Sequence, residues 1–222
     1  MKKELKKNRV KKYFIEAAVK IIETEGIDKI TIRKVADLSG YNSATIYNYF
    51  ENLDHLVFLA ALKFIKPYTS GVGKYVKGDY NALERNYRIW EYYCLHSFKY
   101  PHIYHAIFFA KLNKPLDNYI ISYYELYPEE IVVDDRNISS MLSKQSIYER
   151  AHVILEQCVD EGFLKDEDLD DLNEMILYIY KGTLNRVLNK EIDKSLDEIV
   201  FQTMKYIKVC YRGFLQKEEE SK

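Results

Sequence analysis

Three histidines, His96, His102 and His105, fall within ten residues, and the last two stand about one helical turn apart. A metal site there would need further ligands converging, from Cys94 or Cys158. The three cysteines, Cys94, Cys158 and Cys210, are odd in number and lack CxxC spacing. That suits free thiols in a reducing cytoplasm better than a zinc site or a disulfide framework. The sequence holds no Gly-rich phosphate loop, no Gly-x-Ser-x-Gly elbow and no His-Glu-x-x-His. Acid pairs such as Glu129/Glu130 and Asp134/Asp135 read as solvated loop charge. The expectation is a protein without catalysis, metal or cofactor.

Charge and aromatic rings are the other chemistry on offer. Residues 1–53 carry 11 Lys and Arg against 7 Asp and Glu, while residues 54–222 carry 22 against 27. Most of the excess sits in Lys2, Lys3, Lys6, Lys7, Arg9, Lys11 and Lys12, facing only Glu4. Such a cluster gains by releasing counterions from a polyanion, or is simply solvated. The chain also has 21 tyrosines. Trp90, Tyr92, Tyr93, Phe98, Tyr104, Phe108, Phe109, Tyr119, Tyr123 and Tyr124 crowd into 35 residues. They read as core, or as the wall of an apolar pocket whose phenols orient a guest.

Helices must position these groups. With 222 residues, 47% hydrophobic and 30% charged, the chain is globular, and only 8 Gly and 4 Pro imply few turns. No apolar run reaches membrane-span length, and the Lys-rich start leads into an amphipathic helix, not a signal peptide. Phe14, Ala17, Ala18, Ile21 and Ile22 make one stripe on a helix from about residue 6 to 25, which Gly26 ends. Thr31 is an expected N-cap for a second, short helix closed by Gly40. Asn42 is the next N-cap, opening a helix through Phe50 with Ile46 and Phe50 facing inward. Two short helices around a tight Gly turn, the second beginning with small and polar residues, are what a helix-turn-helix requires.

Further helices are expected at about 53–66, ended by Pro67, then 81–99, 101–112, 115–126, 139–161, 168–188 and 195–214. Residues 68–79, with Gly71, Gly73 and Gly78, read as a loop or hinge. No internal repeat or credible strand is found, so the fold class expected is all-α.

The run from Thr31 to Phe50 resembles the DNA-binding signature of the tetracycline-repressor (TetR) family. Thr31-Ile32-Arg33, Gly40, and Thr45-Ile46-Tyr47-Asn48-Tyr49-Phe50 stand in register with it, and the resemblance covers roughly residues 9–60. It implies a DNA-binding helix-turn-helix head over 1–52 and a helical effector-binding and dimerisation body over 53–222. It implies operator contacts from Thr31, Arg33, Asn42, Ser43, Ala44, Thr45, Tyr47, Asn48 and Tyr49, with Ser43 and Ala44 at the groove-facing start. An effector site in the body would involve Trp90, Tyr93, Phe108 and Tyr123. The function implied is a cytoplasmic homodimeric repressor, released from operator DNA by a small apolar or aromatic effector. The alternative is a small-molecule-binding or interaction protein whose helix-turn-helix is vestigial. The dimer is expected to use Leu172, Ile176, Ile179, Thr183 and Val187 with the stripe from Ile199 to Phe214. One departure stands out: the family commonly has Lys where this chain has Leu53, so that phosphate contact is missing or replaced by His55.

Overall fold

The computed structural model describes residues 2–108, 113, 116–128, 136–144 and 146–216. Among them the elements are α1 (Lys2–Glu25), α2 (Ile32–Ser39), α3 (Ser43–Ile46), α4 (Leu53–Tyr75), α5 (Ala82–Lys99) and α6 (Pro101–Phe108). They continue with α7 (Leu116–Leu126), α8 (Arg136–Ser143), α9 (Ile147–Asp160), α10 (Leu169–Leu188) and α11 (Leu196–Phe214). The fold is all-α: an N-terminal helix-turn-helix head and a larger helical body.

The chain forms two compact units, Met1–Pro67 with His102–Val132, and Tyr68–Pro101 with Val133–Lys222. In the first, Phe14, Ile15, Ala18, Val35, Ala36 and Ile46 are buried where α1, α2 and α3 meet. The periodic stripe read from α1 is this core. Leu56, Phe58, Leu59, Ala60 and Ala61 extend it along α4. α7 fastens beside them: Tyr119 stacks edge-on to His55 at 4.6 Å and donates from its hydroxyl to Glu51 at 2.7 Å.

The second unit packs α5 against α9, α10 and α11. Asn86, buried on α5, donates to the Ile154 carbonyl of α9 at 3.1 Å and accepts from the Tyr211 hydroxyl of α11 at 2.7 Å. One amide thereby satisfies buried groups on two other helices, which a same-sized apolar residue would leave unpaired.

Three expectations fail here. α4 does not stop at Pro67 but runs on to Tyr75, so most of the expected 68–79 loop is helix. Ile65, Tyr68, Val72 and Val76 keep the apolar stripe in register across the proline, and all four are buried. Burial of about 1.5–3 kcal/mol per large apolar side chain outweighs a proline penalty of about 3 kcal/mol. Gly71 is a close-approach glycine rather than a hinge, since a Cβ there would collide with the Tyr92 hydroxyl. The helix expected at 139–161 is two, because Ser146 starts α9 with a capping box closed by Glu149. The expected extension of α6 to 112 and Pro115 lie outside the described residues.

The expected dimer stripe is also revised. Leu172, Ile176, Ile199, Val200, Thr203 and Ile207 are core of the second unit. The outward apolar residues of α10 and α11 are instead Met175, Tyr178, Phe201, Tyr206 and Val209.

Candidate nucleic-acid interface

α2 begins with Thr31 in an extended conformation, its hydroxyl accepting from the Lys34 N–H at 3.2 Å. It ends at Gly40, whose φ of 74° is the left-handed conformation that favours glycine. Asn42 then caps α3, with Oδ1 accepting from both the backbone N–H and the hydroxyl of Thr45 at 2.9 Å. These caps fix the turn between the two helices and the direction of the second. The regular α-helix is shorter than expected, Ser43–Ile46. Asn48 and Tyr49 bond back to Thr45 and Ile46 in tighter 3₁₀ fashion, and Phe50 reaches the Ile46 carbonyl at 3.1 Å. That tightened turn buries Phe50 edge-on against Phe14 at 6.1 Å.

Nine candidate contact residues share this surface, but they differ in availability. Thr31, Arg33, Asn42, Ala44, Tyr47 and Asn48 are exposed, while Ser43, Thr45 and Tyr49 are partly buried. Tyr47 is 58% exposed, so its ring stands away from the core. Tyr49 leans on Phe14, ring centroids 5.6 Å apart, and so helps build the head. Thr31, Asn42 and Thr45 act in the caps, and the Thr45 hydroxyl proton is already committed to Asn42. Among the side chains, Arg33, Tyr47 and Asn48 are the exposed groups with donors suited to phosphate or base edges.

The basic run is helical, because α1 begins at Lys2. Lys6, Lys7 and Arg9 are exposed on it, and the side chains of Lys2 and Lys3 lie outside the described residues. Lys11 and Lys12 are half-buried, over the rings of Phe50 and Tyr127 respectively. Burial, reinforced by Lys7, lowers the Lys11 ammonium from its usual value.

At the departure from the family pattern, Asn52 caps α4 by accepting from the His55 N–H at 2.8 Å. Leu53 is half-buried. His55 cannot stand in for the missing Lys: it is buried between Phe50 and Tyr119, and its Nδ1 accepts from the Glu51 N–H at 3.3 Å.

In the second unit, Trp90 and Tyr93 border one narrow cleft with Tyr68, Ile89, Met141, Ile147, Arg150, Ala151 and Ile154, enclosing about 290 Å³ of empty space. Tyr123 belongs to the first unit, with its ring 5.0 Å from that of Tyr127, and the Phe108 side chain lies outside the described residues. Tyr68 and Arg150 were not foreseen as pocket residues. Tyr68 was hidden by the proline before it. Arg150 had a visible signal, a charge within the apolar stripe Ile147, Ala151, Ile154, Leu155 and Cys158. His96 sits half-buried between Tyr68 and Tyr92, its imidazole pushed down by burial, while His102 pairs with Asp28 at 3.3 Å. Among the described residues no three His, Cys, Asp or Glu side chains gather as metal ligands, and no helix is long and apolar enough to cross a membrane.

A capped helix-turn-helix with exposed donors, on a helical body, defines a DNA-binding regulator of one chain. Residues 14–60 match the family described as bacterial regulatory proteins, tetR family, and the chain is a TetR-family protein by this head and by its fold. Similar solved structures include FadR of Thermus thermophilus, a TetR-family transcriptional repressor in complex with lauroyl-CoA. It is 14% identical, with a TM-score of 0.61 over 96% of this chain and 98% of that one. A TetR transcription regulator from Haloarcula marismortui is 15% identical, with a TM-score of 0.53 over 94% and 99%. A protein of unknown function from Rhodococcus sp. RHA1 is 14% identical, with a TM-score of 0.57 over 93% and 96%. No curated protein matches the sequence.

Proposed function

We propose that the chain is a homodimeric transcriptional repressor that leaves its operator when a small apolar or aromatic effector enters the body. Residues 1–52 act as the DNA-binding head and 53–222 as the effector and dimerisation body. The observation that carries the reading is the capped helix-turn-helix with Arg33, Ala44, Tyr47 and Asn48 exposed on one surface.

A single head touches too few base pairs for operator-level specificity, so two heads on a palindrome are required. The outward face of α10 and α11 supplies the contact. Tyr178 and Phe201 are 67% and 75% exposed, rare values for large apolar side chains on a finished surface. Gly182 and Gly213 lie on the same two helices with open space above them, which lets a neighbouring helix approach closely. Paired across a two-fold axis, these helices make a four-helix contact.

The cleft at Trp90 and Tyr93 is the effector site of this reading. α4 carries both Tyr68, a wall of the cleft, and Leu56, in the head core. A ligand releases DNA only by binding one conformation better than the other, with coupling of about 1–3 kcal/mol being typical. The test is selection of bound fragments from sheared genomic DNA, followed by light scattering of the complex. Enrichment of a palindromic site held by two chains is expected; uniform recovery of all fragments would refute it.

A further inference from the structure

We propose that the cleft takes a flat aromatic monocarboxylate, its carboxylate accepting from the Trp90 indole N–H and lying in the field of Arg150. This rests on the effector reading above and names the ligand's chemistry. Trp90 is 3% exposed, and its Nε1–H has no hydrogen-bond partner among the described residues. An indole nitrogen only donates, so a buried one without an acceptor calls for an oxygen from elsewhere. The cleft that Trp90 borders is where such an oxygen fits.

Shape and charge narrow the guest. The walls are Tyr68, Ile89, Trp90, Tyr93, Met141 and Ile154 on the apolar side, and about 290 Å³ is near the lower end of small-molecule sites. Trp90 and Tyr93 meet edge to face at 5.9 Å, a slot between rings that suits another ring. Arg150 is the one charged residue on this wall. Its guanidinium is held in place, donating from Nε to the Lys144 carbonyl at 3.0 Å and from Nη2 to the Leu142 carbonyl at 3.1 Å. A fixed positive charge at an apolar cleft favours an anion over a neutral isostere.

Trp90 is the only tryptophan, so its fluorescence reports the site directly. The wild-type chain is titrated with phenylacetate and, separately, with phenylacetamide. Phenylacetate is expected to quench Trp90 with affinity about tenfold above the amide, the difference between a charged and a neutral acceptor. Trp90→Phe keeps a ring but removes the donor; by calorimetry it should lose most of that preference while melting as a folded chain. Equal affinity for acid and amide, no binding of either at millimolar concentration, or a Trp90→Phe variant with the preference intact would each overturn the proposal. Operator release is read apart, by gel shift. Phenylacetate that binds without releasing DNA leaves the carboxylate site standing and refutes the effector reading. Release by acid and amide alike does the reverse.

Discussion

Tyr47 and Ile46 are neighbours with opposite duties. Ile46 is fully buried beneath the turn, whereas Tyr47 is mostly exposed. Ile46→Ala should cost the head about 2–5 kcal/mol by leaving a cavity, seen as a lower melting temperature. Tyr47→Ala should leave melting within about 0.5 kcal/mol of the wild type and weaken operator binding. A Tyr47→Ala chain that binds DNA normally would assign that ring no part in the interface. Leu53 is the second residue to test. It is half-buried at the start of a helix that Asn52 already caps, so a Lys stem can keep the packing while its ammonium reaches solvent. Leu53→Lys is expected to steepen the log–log salt slope by about 0.9 per head, with little loss of stability. An unchanged slope would mean that this helix end does not face phosphate.

At the scale of elements, ionisation of the buried thiols sets a limit at high pH. Burial pushes the Cys158 thiol up from 9.0 to about 12, and the Cys94 thiol is raised in the same way. Burial also raises the Tyr87 phenol, to about 12. Each is held neutral in the fold while the unfolded chain ionises near its ordinary value. Their contribution is therefore complete below about pH 9 and is lost as pH rises toward 12. Thermal melts should show the midpoint falling from pH 9 to 11, less steeply in Cys158→Ala; a midpoint that rises over that range would contradict the burial.

The elements legible in the sequence were those with both a stripe and a cap. Thr31 and Gly40 bounded α2, and Ser195 and Phe214 bounded α11, because local chemistry and tertiary packing agreed. α4 was misjudged because Pro67 and Gly71 are strong local breakers, yet buried Tyr68 and Val72 carry the helix across them. The α8–α9 break was missed because Ser146 and Glu149 lie inside a stretch whose periodicity carries on through them. Site legibility split in the same way. The exposed positions of α2 and α3 followed from sequence register. The cleft did not, because Tyr68 and Arg150 come from distant parts of the chain, and only packing brings them to Trp90.

For the whole molecule, the outward apolar face of α10 and α11 decides whether two heads act together. Phe201→Glu and Tyr178→Glu should yield monomers at micromolar concentration with the core intact, since neither side chain is buried within the chain. Operator affinity should fall with dimerisation, because each head alone spans one half-site. A variant that remains dimeric would place the two-fold contact on another surface.

The central claim is sequence-specific DNA binding through a basic head, and its most direct test is fluorescence anisotropy against an enriched palindrome and a scrambled duplex across salt. The account predicts a steep negative log–log slope on both duplexes, with the palindrome bound about 10³-fold or more tighter. A slope near zero, or equal affinity for the two duplexes, would contradict it.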